Sequence, residues 1–217
     1  MAQQKDKVTQ YLVVGMVSLV VVTAIGFSIA TKPKPEKIDV PAIPSVTTEN
    51  AIVFNSDLTG VPEVGVWQDF QCPACRAFEE TYDKYLANAI LDKKAKVSYY
   101  PLSFLGARSQ VNESALLANA AVCAADEGKY LPFQSYVYRN QVSENSGFWK
   151  NSEILKAGKV VGIESSTFKT CVEKGEKVDF INAVSTFGNT SKIDRTPTVT
   201  VNGKPITVAD LKKAIEG

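Results

Sequence analysis

The chain contains no histidine. That absence removes an imidazole general base, a Ser-His-Asp or Cys-His nucleophile pair, and any His-ligated zinc. Cysteine is scarce as well, at four among 217 residues: Cys72, Cys75, Cys123 and Cys171. A zinc site of four thiolates brings two close pairs, whereas here one pair is close and the other is 48 residues apart (171 minus 123), so no metal site is expected. Neither sign of charge is in excess: 24 Lys and Arg face 23 Asp and Glu, for a net charge of +1. There is no basic field for nucleic acid and no acidic tail, and the aromatic residues are not interleaved with Lys and Arg. Nucleic acid is therefore not an expected partner. Internal repeats and low-complexity tracts are also missing.

One long apolar run is present. Between Lys7 and Lys32 no residue is charged, and the stretch 11–30 is rich in adjacent Val and Leu. Twenty residues at 1.5 Å each span about 30 Å, the hydrocarbon thickness of a bilayer. This predicts a single transmembrane helix over 11–30, after a short tail at 1–10, with membrane lipid as its partner. A cleaved signal peptide is the rival reading, since Ser28-Ile29-Ala30 resembles a small-x-small cleavage site. Lys32, Lys34 and Lys37 outnumber Lys5 and Lys7, which alone favours the opposite orientation. The cysteines suit an oxidising compartment, and the expected location of the domain is outside the cytoplasm. Residues 31–50 carry Pro33, Pro35, Pro41 and Pro44 and read as an extended tether. Residues 51–217 then make one domain of ordinary size.

Within that domain Cys72-Pro73-Ala74-Cys75 is the informative motif. It follows a strand-like run, 64–70, and opens a helical pattern from Pro73 to about Leu91. In that order the motif points to redox chemistry. Pro73 suits the first helical turn, where its missing N–H forfeits no bond. Cys72 then sits at a helix N-terminus, whose unpaired N–H groups and macrodipole favour an anion. A thiolate there has its pKa lowered from about 8.5 and is a competent nucleophile.

The remaining pattern is α/β. A first strand is expected at 51–54 and another at 96–100, stopped by Pro101. Helical periodicity then runs through 112–125, 130–138, 153–161 and 166–187, a helical insertion over about 103–170 with a helix returning to the sheet. Thr198-Val199-Thr200-Val201 and 204–207 flank Asn202-Gly203, the preferred type I′ hairpin turn. Pro205 marks the return strand as an edge. Thr207 with Asp210 predicts a capping box for a last helix over 208–215. Asp69, Glu79 and Glu80 lie near the cysteines; each reads either as a proton relay for Cys75 or as a solvated or capping residue.

Asp69-Phe70-Gln71-Cys72-Pro73-Ala74-Cys75, then Phe78-Glu79-Glu80, then Thr196-Pro197-Thr198 resemble the DsbA-like branch of the thioredoxin superfamily, over about residues 50–217. The resemblance implies a thioredoxin-like fold with a helical insertion and no cofactor. It implies an extracytoplasmic enzyme that forms or shuffles disulfides, with Cys72 and Cys75 as the catalytic pair around Pro73 and Ala74. It further implies a cis bond at Pro197 facing the pair, with Thr196 and Pro197 binding an extended client peptide. The partners so implied are reduced or misfolded exported proteins and a membrane redox protein that reoxidises the pair. Where the best-known members have His between the cysteines this chain has Ala74, which implies a less oxidising pair; Thr196 also occurs in disulfide isomerases. Isomerase, reductase and non-catalytic binding module stand as alternatives. Cys123 and Cys171, an even pair in an oxidising compartment, are expected to form a structural disulfide, with two buried free thiols as the other reading.

Overall fold

The computed structural model describes residues 38–108 and 112–217. The expected transmembrane helix lies outside those residues. Among the described residues no helix is long and apolar enough to cross a membrane.

Six strands form one sheet: β1 (Val46–Thr47), β2 (Ile52–Phe54), β3 (Glu63–Asp69), β4 (Lys96–Leu102), β5 (Thr198–Val201) and β6 (Lys204–Ile206). Their order is β1-β2-β4-β3-β5-β6. Only β3 and β4 run parallel, from Glu63↔Lys96 to Asp69↔Leu102. That pairing needs a crossover, supplied by α1 (Pro73–Leu91). The Val-rich β3 is buried from Val64 onward because helices cover both its faces. Gly65 is required at its centre: a Cβ there would lie 2.5 Å from Thr200 Oγ1 and 3.2 Å from a Tyr100 ring carbon.

Between β4 and β5 come α2 (Glu113–Asp126), α3 (Tyr130–Arg139), α4 (Asn151–Val160), α5 (Ser166–Lys174) and α6 (Val178–Thr190); α7 (Leu211–Glu216) closes the chain. Asn112 caps α2, its side chain accepting from Ala115 N–H at 2.9 Å. The Ala-rich α2 is buried along Leu117–Ala125, which marks it as the centre of the helical layer. On one face of the sheet Tyr99 of β4 meets Phe54 and Tyr130, with ring centroids 5.9 and 5.2 Å apart. On the other, Trp67 stacks on Tyr100 at 3.8 Å, beside Phe187 of α6. Cys123 of α2 and Cys171 of α5 are joined by a disulfide, with Cα atoms 6.0 Å apart.

Four sequence expectations are corrected. Pro101 does not stop β4, which continues to Leu102. The pairing of β2 with β4 ends at Ile52↔Tyr99, so Pro101 has only β3 beside it, the edge-like setting where a missing N–H is tolerated. The stretch 166–187 is two helices, because Gly175 takes the left-handed conformation (φ 64°) that ends α5. The capping box does not form: Thr207 Oγ1 donates to the Asp210 carboxylate at 2.5 Å, and a 3₁₀ turn, Val208–Asp210, precedes α7. The expected tether over 31–50 is packed from Ile38 onward. Val40 and Ile43 are buried in the core and Val46–Thr47 pairs with β2, since short apolar residues between the prolines reach the sheet's edge.

Candidate functional site

The end of β3 and the start of α1 are shaped by Asp69. Its carboxylate accepts from Gln71 N–H (2.9 Å), from Leu105 N–H (3.0 Å) and from the Ser114 hydroxyl. Its carbonyl accepts from Cys72 N–H at 3.0 Å. A buried Asp bonded in this way fixes a turn, and burial pushes its pKa up despite those bonds. Cys72 follows as the N-cap of α1, extended at φ −75° and ψ 119°, with Pro73 in the first turn. Its carbonyl accepts from Arg76 N–H (3.1 Å) as the helix begins, and also from Gln141 Nε2 (3.1 Å).

The Thr196-Pro197 peptide bond is cis. It brings the Thr196 carbonyl oxygen to 3.4 Å from Cys72 Sγ, across 124 residues of sequence. Thr196 thus stands against the first cysteine.

Both cysteines are free thiols and both are buried. Cys72 retains 8% exposure and Cys75 none, so only the first has a face open to an incoming sulfur. Their acidities are driven apart. A hydrogen bond from the Cys75 thiol holds the Cys72 thiolate, aided by the Thr196 side chain and the N–H groups of Cys75 and Ala74. Burial opposes this and loses, so the Cys72 pKa falls to about 6. The Thr196 carbonyl favours the neutral thiol, yet it is one acceptor against several donors. For Cys75 burial pushes the pKa up strongly, and the neighbouring Cys72 thiolate pushes in the same direction. The pair therefore shares one proton at neutral pH, held by Cys75.

The three candidate carboxylates separate in role. Glu80 is exposed and pairs with Arg76 at 2.7 Å, one turn back on α1. Asp69 is occupied by the turn. Glu79 is buried four residues beyond Cys75 and accepts from Gln134 (2.9 Å) and Gln68 (3.4 Å). Burial, reinforced by Asp83, raises its pKa to about 7 against the pull of those donors and of Arg139. Arg139 is bound to Asp83 at 2.9 Å. Nothing in the sequence points to Glu113, Gln134 or Gln141, single polar residues without periodicity; Gln71 stands out only as part of the motif before Cys72. Glu79 had a signal, since its spacing from Cys75 places it on the inward helix face. Among the described residues no cluster of three or more Cys, Asp or Glu side chains is arranged to hold a metal.

Residues 60–217 match the family model described as Thioredoxin. Probable disulfide bond formation protein D of Bacillus cereus is 24% identical over 211 residues, covering 94% of this chain and 93% of that protein. Two solved structures share the fold. MdbA, a thiol-disulfide oxidoreductase from Corynebacterium diphtheriae, superposes with a TM-score of 0.73 at 20% identity, over 85% of this chain and 99% of the other. Reduced DsbA from Mycobacterium tuberculosis gives 0.66 at 23% identity, over 77% of this chain and 91% of the other. Matched across most of its length, the chain belongs to the thioredoxin family and is a protein-disulfide oxidoreductase.

Proposed function

We propose that this enzyme forms disulfides in exported proteins through Cys72 and Cys75, from a domain tethered outside the cytoplasm by the apolar segment 11–30. The observation that carries this reading is the contrast within the pair: a lowered Cys72 pKa beside the cis Thr196-Pro197 bond, and a buried, proton-holding Cys75.

In the oxidised enzyme a client thiolate attacks Cys72 Sγ, and the Cys72–Cys75 bond breaks. Cys75 leaves with the electron pair and takes up a proton, because burial disfavours its charge. The client is now bonded to Cys72. A second client thiolate attacks the client sulfur of that bond, and Cys72 departs as a thiolate. Two electrons pass from the client to the enzyme; of two client protons, one rests on Cys75 and one is released. A low-pKa thiolate is a good leaving group and stabilises the reduced enzyme, which favours the oxidase direction. Reoxidation returns the two electrons to a membrane redox protein, and the tether keeps the domain near it. Isomerisation and reduction use the same sulfurs in other orders.

Trapping tests the assignment. Cys75→Ser cannot form the Cys72–Cys75 disulfide; its Cys72 thiolate attacks a client disulfide, one client sulfur leaves as a thiolate, and the Cys72–client bond that results lacks the thiol that would release it. The variant should accumulate client-linked enzyme, reversible by dithiothreitol and bonded through Cys72. A clean enzyme band with no such adduct would overturn the roles given to the pair, and would favour a binding module without turnover.

A further inference from the structure

The segment after α3, residues 140–150, is tied at both ends to the turn that carries Cys72. At one end the Gln141 side-chain amide donates to the carbonyl oxygens of Phe70, at 2.8 Å, and Cys72, at 3.1 Å. At the other, Trp149 N–H donates to Glu113 Oε1 at 2.6 Å, and Glu113 Oε2 accepts from the Gln71 side chain at 3.0 Å. The residues so held, Phe70, Gln71 and Cys72, are consecutive. Trp149 and Glu113 are both buried.

We propose that Gln141 is a positioning residue for disulfide exchange, its amide clamping the Phe70 and Cys72 carbonyls so that Cys72 presents its sulfur as nucleophile and leaving group. The inference rests on the reading of Cys72 as the exchanging thiol. The clamp acts in two ways. It fixes Cys72 at ψ 119°, the torsion that sets where the N–H groups of Ala74 and Cys75 lie relative to the sulfur. It also adds a second donor to the Cys72 carbonyl, beside Arg76 N–H, and so offsets negative partial charge on the residue that must carry a thiolate. A neutral amide does this without a charge of its own, so the clamp does not titrate. The ionisable groups around the turn are Cys75 and Arg76 on α1, the latter paired with Glu80, Asp69 at the end of β3, Glu113 at the start of α2 and Tyr138 of α3, whose ring stacks on Phe70 at 5.1 Å. None of them is bonded to Gln141.

The test is Gln141→Met in the full chain, which keeps the size of the side chain and removes both donor contacts. The readouts are the pH midpoint of Cys72 alkylation in the reduced protein and the equilibrium with glutathione. The midpoint should rise by about half a pH unit, and the equilibrium should shift about threefold toward the disulfide, equivalent to about 15 mV. Asn145→Gly provides the control. It cuts the same segment's contact with Leu105 O (3.5 Å) and suits the positive φ of 53° there, so it should leave the midpoint in place. If the Met variant does not fold, Gln141→Asn retracts the amide by one methylene and should give the same upward shift. An unchanged midpoint in the Gln141 variant would overturn the proposal, as would an equal shift in Asn145→Gly. A wild-type midpoint near 8.5 would remove the underlying reading of Cys72 as well.

Discussion

Cys72→Ser is expected to reduce disulfide exchange to the uncatalysed background, a fall of at least about 10³-fold, the scale on which loss of a nucleophile registers. One sulfur is replaced by one oxygen, and the Thr196 carbonyl that faces Sγ remains to accept from the hydroxyl, so the fold should hold. The chemistry is lost because a hydroxyl neither ionises at neutral pH nor bonds reversibly to a client sulfur. The comparison with Cys75→Ser sharpens the expectation. The same one-atom change three residues later removes the Cys72–Cys75 disulfide that a client thiolate attacks, but leaves a Cys72 thiolate able to attack a client disulfide and form an adduct that no neighbouring thiol resolves. Oxidation of a reduced, unfolded protein in the presence of glutathione disulfide measures both variants. Cys72→Ser retaining more than about a tenth of the wild-type rate would place the attacking group elsewhere.

Removing the disulfide in the helical layer should have the largest effect on stability. Cys123 and Cys171 close a loop with a sequence separation of 48, for which the chain-entropy estimate is about 4 kcal/mol. In a domain of this size that lowers Tm by about 8–16 °C. The reason lies in α5: it has nine residues and ends at Gly175, its buried Phe168 packs on Phe133 of α3, and the sulfur bridge ties it to α2. Asn119 of α2 adds a smaller tie, donating to Cys171 O at 3.5 Å and accepting from Lys177 N–H at 2.9 Å. The paired Cys123→Ala and Cys171→Ala variant, followed by thermal unfolding, checks the figure. Because the bridge touches none of the groups bonded to Cys72, the exchange rate at 25 °C should stay within about twofold. A loss below about 1 kcal/mol would mean that packing alone joins the two helices.

The parts of the site that lie close together in sequence were readable in advance. Val64–Phe70 leading into Cys72-Pro73 announces a strand and a helix start, and α1 spans Pro73–Leu91. Asn202 and Gly203 take φ values of 51° and 75°, as a type I′ turn requires. What escaped depends on tertiary neighbours. Pro101 reads as a stop unless one knows that β2 has already ended beside it. Val40 and Ile43 look like linker residues until the sheet edge that buries them is in place. Gln141 lies 69 residues from the carbonyl it clamps, and Glu113 lies 42 from Gln71; neither distance leaves a pattern in the sequence. The cis bond at Pro197 was legible only through resemblance, because cis is rare for X–Pro pairs.

The central claim is that the Cys75 thiol, with the N–H groups of this helix start, holds Cys72 ionised while Cys75 keeps its proton. Its most direct test is the alkylation rate of Cys72 against pH in the reduced protein. The account predicts a midpoint at about 6, with the thiolate's stabilisation of the reduced fold present above the ordinary thiol pKa and lost as the pH falls through 6. Between those two pH values reduction takes up one proton, so the potential should move by about 30 mV per pH unit, steepening to about 59 mV below 6. A midpoint near 8.5 with no change of slope at 6 would contradict the account.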